Sequence, residues 1–337
     1  MKITTIYKKT AALVLGASIA LSSTVATAGI EYSDIYVFGD SLSDTGNIKD
    51  SAGFLDFFVK NTVGYGDNGR FSNGDVWHEY LSADLGLNST PISRDGGNNY
   101  AYGGALSSGS QGLEDLFIEG MDAQVNQYIS KSSNTADTDA LYITWIGGND
   151  VRGLVGQANP LAGIEQALDT MAASLTQLLE SGVSTLLVPN LPDLGAIPEF
   201  ANTVNSAQAH DLTVAWNEGL ESRLMKLNLL SNADLYYFDV FTTFNELLAN
   251  PADFGFTNTS DQCRSSNFFG ERACSGADGY AFWDEIHPTT AAHNLLADYA
   301  FDLLESNNVV VPAPNAVVLI ISGLLMIGVQ RKKFRKN

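Results

Sequence analysis

Apolar positions along the middle of this chain fall into two periods. Short β-rich runs stand at residues 35–38, 99–102, 140–146, 185–188 and 235–240, and four of them stop at Gly39, Gly103-Gly104, Gly147-Gly148 and Pro189. Runs of that length bounded by breakers predict buried strands. Between them the spacing changes to threes and fours. Residues 161–179 place Leu161, Ile164, Leu168, Met171, Leu175, Leu178 and Leu179 on one face, and Gly182 follows as a C-cap. Residues 204–227 are longer and mostly polar with one apolar stripe, and residues 289–304 carry Ala292, Leu295, Leu296, Tyr299 and Leu303. Strands alternating with such helices predict βαβ units and a mostly parallel sheet, whose ligands gather at the carboxyl ends of the strands. Residues 50–95 are rich in Gly, Asn and Ser with scattered aromatics. They read as an irregular insertion over the sheet, lining the entrance to a site there.

The two ends follow a different pattern. Lys2, Lys8 and Lys9 precede an apolar run over residues 11–21 and an Ala26-Thr27-Ala28 site. That order of basic, apolar and small residues is a secretory leader cleaved after Ala28. At the other end, Val311-Pro312-Ala313-Pro314 leads into uncharged residues 316–329, and Arg331, Lys332, Lys333, Arg335 and Lys336 close the chain. A helix of that length spans about 21 Å against a hydrocarbon core of about 30 Å, so it is a marginal span whose basic end should stay cytoplasmic. This tail resembles the PEP-CTERM sorting signal of Gram-negative bacteria, with Ala313 where that motif has Glu. The resemblance implies export, a cell-envelope or extracellular location, and sorting machinery as a partner. A plain C-terminal anchor is the other reading. The chain thus divides into a leader (1–28), a body (29–306), and a linker, apolar helix and basic tail (307–337).

Removing the ends changes the charge. All 38 acidic residues lie in the body with 10 of the 18 basic ones, which leaves it near −28. Such a surface repels nucleic acid and anionic membranes. The body is long enough for one large domain, with two also possible, and no internal repeat marks it as an array. Its two cysteines, Cys263 and Cys274, are an even, closely spaced pair, which in an oxidising compartment reads as one disulfide. A metal site needs more ligands than this pair offers, and no metal is expected.

Four turns carry the chemistry. In Phe38-Gly39-Asp40-Ser41-Leu42-Ser43-Asp44-Thr45-Gly46-Asn47, a serine directly follows a strand and a Gly-Asp turn. It is either a nucleophile at the strand's carboxyl end or a helix N-cap. Phe282-Trp283-Asp284-Glu285-Ile286-His287-Pro288 favours the first reading. Asp284 and His287, three apart, can touch through one turn, fixing the imidazole tautomer and leaving its other nitrogen for a serine proton. The proline after His287 suits a helix start. Of the other histidines, His78 and His210 lack a carboxylate in a comparable context, and His293, on the C-terminal helix, reads as a packing or solvated residue. Asn99-Tyr100-Ala101-Tyr102-Gly103-Gly104 offers a glycine N–H, and Gly147-Gly148-Asn149-Asp150 offers an amide. With the Ser41 N–H these would form a three-donor oxyanion hole. Asp40 and Asp44 are assigned to the turn.

These four clusters, in this order, resemble the conserved blocks of the GDSL, or SGNH, hydrolases. Ser41 matches the nucleophile, Asn149 the Gly-Asn-Asp block, and Asp284 and His287 the Asp-x-x-His block. Gly104 is the better match to the oxyanion glycine, with its neighbour Gly103 left open. Gly69-Arg70-Phe71-Ser72-Asn73-Gly74, Pro189-Asn190-Leu191-Pro192-Asp193-Leu194-Gly195 and Gly255-Phe256-Thr257-Asn258 resemble phrases of the lipase/esterase branch. The resemblance implies a three-layer α/β/α, flavodoxin-like fold. It implies hydrolysis of carboxylic esters without a cofactor, by a Ser-His-Asp acyl-enzyme route. The substrate would be a lipid, a small ester or an acylated glycan. Polysaccharide O-deacetylation, acyl transfer at the same site, and a silent surface binding module are the alternatives.

Overall fold

A computed structural model describes residues 31–109, 117–267 and 270–306. The chain enters on β1 (Ile35–Gly39) and passes through α1 (Asn47–Ala52), α2 (Asp56–Val63), α3 (Trp77–Asp84) and α4 (Met121–Lys131) to β2 (Leu141–Trp145). Helices α5 (Gly148–Leu154) and α6 (Pro160–Glu180) lead to β3 (Thr185–Pro189), and α7 (Ser206–Leu230) leads to β4 (Asp234–Phe238). After α8 (Val240–Ala249) come four small strands, β5 (Asn258–Gln262), β6 (Arg264–Asn267), β7 (Gly270–Ala273) and β8 (Tyr280–Phe282). The last described helix is α9 (Thr290–Glu305).

The main strands are all parallel, in the order β1-β2-β3-β4, with Ile35 opposite Leu141 and Leu141 opposite Thr185. Residues 98–102 run along the free edge of β1. Val37 donates to the Asn98 carbonyl at 3.0 Å, and Tyr100 and Tyr102 donate to the carbonyls of Val37 and Gly39 at 2.7 and 3.1 Å. Counting that segment second in chain order, the sheet reads 2-1-3-4-5, the flavodoxin-like order, whose switch point lies between the first and third strands.

Both faces of the sheet are apolar, which explains why the strands read as near-continuous hydrophobic runs rather than alternating ones. One face packs Phe38, Tyr142, Leu186 and Leu235 under Val125 of α4, Leu168 of α6 and Trp216 of α7. The other packs Ile35, Val37, Ile143 and Tyr236 against Trp77 and Leu81 of α3 and Ala297 and Ala300 of α9. The molecule is therefore a three-layer α/β/α sandwich. Residues 50–95 depart from the expected irregular insertion, since they contain α2 and α3. The two residues that seat α3 on the sheet, Trp77 and Leu81, are four apart in a polar setting, too sparse a stripe to stand out.

Beside the carboxyl end of the sheet, β5 pairs with β8 and the β6–β7 hairpin is closed by the Cys263–Cys274 disulfide. Among the described residues no helix is long and apolar enough to cross a membrane. The expected leader and the expected C-terminal apolar helix lie outside the described residues.

Candidate active site

The turn after β1 is fixed from several directions. Gly39 closes the strand where a side chain could not fit, because a Cβ there would lie 2.3 Å from the Trp145 carbonyl oxygen of β2. Gln124 of α4 then holds the Gly39 peptide on both sides, accepting from its N–H and donating to its carbonyl, each at 2.9 Å. The Asp40 carboxylate accepts from Leu42 N–H at 3.0 Å, and the Asp40 carbonyl accepts from Ser43 and Asp44. Asp44 is fully buried and accepts from Gly46 and Asn47 N–H at 2.7 Å. Both aspartates thus shape the turn as expected, and Ser41 is left at its crest.

Far along the chain, the loop between β8 and α9 brings His287 to the same point. His287 Nε2 lies 2.8 Å from Ser41 Oγ. Its Nδ1 lies 2.9 Å from both carboxylate oxygens of Asp284. The Asp284 carboxylate also accepts the backbone N–H groups of Ile286 and His287, at 2.9 and 2.8 Å. Burial works to raise the Asp284 pKa, but the charge interaction with His287 and these hydrogen bonds outweigh it and hold it below the usual carboxylate value. With the hydrogen on Nδ1 facing Asp284, Nε2 is free to accept the serine proton. Pro288 precedes the helix, and Thr289 serves as N-cap of α9, accepting from Ala292 at 3.3 Å.

The phrase Arg70–Gly74 braces this loop, a task its residue types alone did not reveal. The Phe71 ring stands 5.0 Å from the His287 ring. Phe71 also packs on Gly103, where a Cβ would lie 2.2 Å from the ring. Ser72 Oγ donates to the Pro288 carbonyl at 3.0 Å, and Asn73 Oδ1 accepts from Thr290 N–H at 2.9 Å.

The donor turns also converge, unequally. Gly103 N–H is already committed to Asp44 Oδ2 at 2.8 Å. The N–H groups of Gly104 and Ser41 donate to no described residue. Gly104 adopts φ +81°, a conformation natural to glycine. Asn149, in the first turn of α5, donates one Nδ2 hydrogen to the Ala105 carbonyl at 3.0 Å, which leaves the second. Asn149, Ser41 and His287 line one cleft, and Gly104 is not among its lining residues. That cleft encloses about 900 Å³ with its open mouth included. Its walls are mostly aliphatic and aromatic: Leu191 and Ile197 after β3, Phe244 and Leu247 on α8, and Leu295 and Leu296 on α9.

One expectation about the other histidines needs correction. His210 does face a carboxylate, with Nδ1 2.7 Å from Asp193 Oδ2, because α7 folds back over the loop after β3. That contact joins residues 17 apart and is invisible in either local phrase. His78 and His293 are buried, and burial lowers both of their pKa values.

A family model described as GDSL-like lipase/acylhydrolase matches residues 35–300. The chain is 29% identical to the thermolabile hemolysin of Vibrio parahaemolyticus, over 81% of this chain and 63% of the hemolysin. It is 27% identical to the phosphatidylcholine-sterol acyltransferase of Aeromonas hydrophila, over 86% of this chain and 95% of that protein. With lipase 1 of Photorhabdus luminescens it shares 26% identity over 91% of this chain and 55% of the lipase. It therefore spans between half and two thirds of the hemolysin and the lipase. Among solved structures, a lipolytic G-D-S-L family member from Veillonella parvula superposes with a TM-score of 0.45 at 14% identity, covering 80% of this chain and 96% of that one. With the family model matching nearly all of the body, and with its four blocks at one rim of the sheet, this chain belongs to the GDSL-like lipase/acylhydrolase family.

Proposed function

We propose that the protein hydrolyses carboxylic esters outside the cytoplasm through an acyl-enzyme on Ser41. The observation that carries this reading is the unbroken line Asp284–His287–Ser41 opening into an apolar cleft. His287 Nε2 takes the Ser41 proton as Oγ attacks the ester carbonyl. The developing oxyanion is held by the N–H groups of Ser41 and Gly104 and by Asn149 Nδ2. Each such donor is typically worth about 10²–10³ in rate. His287 then protonates the leaving alcohol, and water, deprotonated by the same imidazole, releases the acid.

The lining of the cleft supports an aliphatic acyl group over an acetyl, since burying each extra methylene is worth about 0.8 kcal/mol. A panel of p-nitrophenyl esters of increasing chain length, with an acetylated glycan beside it, tests both points. The expected result is a rate that rises with acyl length to a maximum beyond acetyl, and loss of about 10³-fold or more in Ser41→Ala. Equal activity in the variant and the parent would remove serine catalysis from the account. Acyl transfer is a second reading, supported by the match along 95% of a protein named as an acyltransferase. Adding an alcohol acceptor separates the two, because transfer yields a new ester where hydrolysis yields only acid.

A further inference from the structure

Asn149 can hold an oxyanion only if its amide points the right way. A primary amide is nearly symmetrical in shape, and a half-turn about its last bond would present the oxygen where the N–H must be. Two contacts of opposite polarity decide the matter here. The Ala105 carbonyl, which can only accept, sits 3.0 Å from Nδ2. The Arg152 guanidinium, which can only donate, sits with Nη1 3.1 Å from Oδ1. Turning the amide over would set oxygen against oxygen and N–H against N–H.

Arg152 is itself held. Its Nε and Nη2 form a two-pronged pair with the Glu199 carboxylate at 2.6 and 2.8 Å, which leaves Nη1 aimed at Asn149. A planar fork fixed at two points cannot swing as a lysine ammonium would. Glu199 reaches further, for its backbone N–H donates to the Glu285 carbonyl at 3.0 Å, inside the turn that carries Asp284 and His287. The pair is half-buried at the wall of the cleft, where Arg152 is a lining residue.

We propose that Arg152, locked by Glu199, is a positioning residue that fixes the Asn149 amide as an oxyanion donor and ties it to the His287 loop. The proposal rests on the reading of Asn149 as such a donor. It is tested with a double-mutant cycle on the full chain, using a p-nitrophenyl ester. Arg152→Met keeps the bulk and removes the donor; Asn149→Ala removes the amide.

Each single change is expected to lower kcat by about 10–100-fold with KM within about threefold, the pattern of a contact made in the transition state. In the Asn149→Ala background, Arg152→Met is expected to cost at most about twofold more, because the arginine acts through the amide. Arg152→Lys is expected to recover part of the rate. Full additivity of the two changes overturns the positioning role while leaving the oxyanion reading intact. An unchanged kcat in Asn149→Ala overturns the oxyanion reading itself. Should Arg152→Met fold poorly by circular dichroism, Glu199→Gln takes its place in the same cycle, with the same outcomes.

Discussion

At the scale of single residues, three carboxylates stand in the loops around Ser41, Asp40 and Asp44 buried and Asp150 half-buried. Burial pushes the pKa values of Asp40, Asp44 and Asp150 up to about 6. The unfolded value is near 3.9, so the folded chain binds more protons than the unfolded one between about pH 4 and pH 6. Stability from these groups is therefore fully present below that window and is lost as pH rises through it. Asp284 works the other way, contributing above the ordinary carboxylate value and losing its contribution as pH falls through its depressed one. Asp40→Asn keeps an acceptor for Leu42 and removes one titration. Urea unfolding at pH 5 and pH 7 should show about 1–2 kcal/mol less pH-dependent loss in Asp40→Asn than in the parent. Identical losses would mean that the carboxylate is already well solvated.

At the scale of elements, the site is an agreement among loops that the chain holds far apart. The Ser41 turn, the Asp284–His287 turn and the strand ends were legible, because each joins a β-rich run to chemistry-bearing residues. The orientation of the Asn149 amide, the Arg152–Glu199 strut and the Asp193–His210 contact were not, because each needs a partner supplied by tertiary packing. The role of Phe71 was hidden for the same reason, since its phrase reads as a loop until Gly103 and His287 close on the ring. That contact carries a prediction. Gly103→Ala would drive a methyl into the Phe71 ring, and the shift the ring must then make disturbs its contact with His287. Overpacking of this kind costs about 1–3 kcal/mol, to be read as a lowered urea midpoint, and kcat should fall with it. A variant with parental stability and kcat would show that Phe71 does not brace the imidazole.

For the molecule as a whole, the parallel α/β character followed from strand and helix periods, the three-layer flavodoxin-like fold from the family resemblance, and the edge order from residues 98–102 beside β1. The ends carry a separate message. We propose that the basic-apolar-small segment over residues 1–28 is a leader removed after Ala28, which leaves a mature form that begins at Gly29. Intact-mass measurement on protein from its native host should find that N-terminus, and retention of Met1 would contradict export by this leader. What the rest depends on is a serine made nucleophilic by one histidine. A fluorophosphonate that bonds irreversibly to such serines tests this directly, read by peptide mass spectrometry on folded protein. A single adduct is expected on Ser41, one that fails to form, at the same dose and time, in His287→Ala. An adduct elsewhere, or labelling of Ser41 at the parental rate without His287, would contradict it.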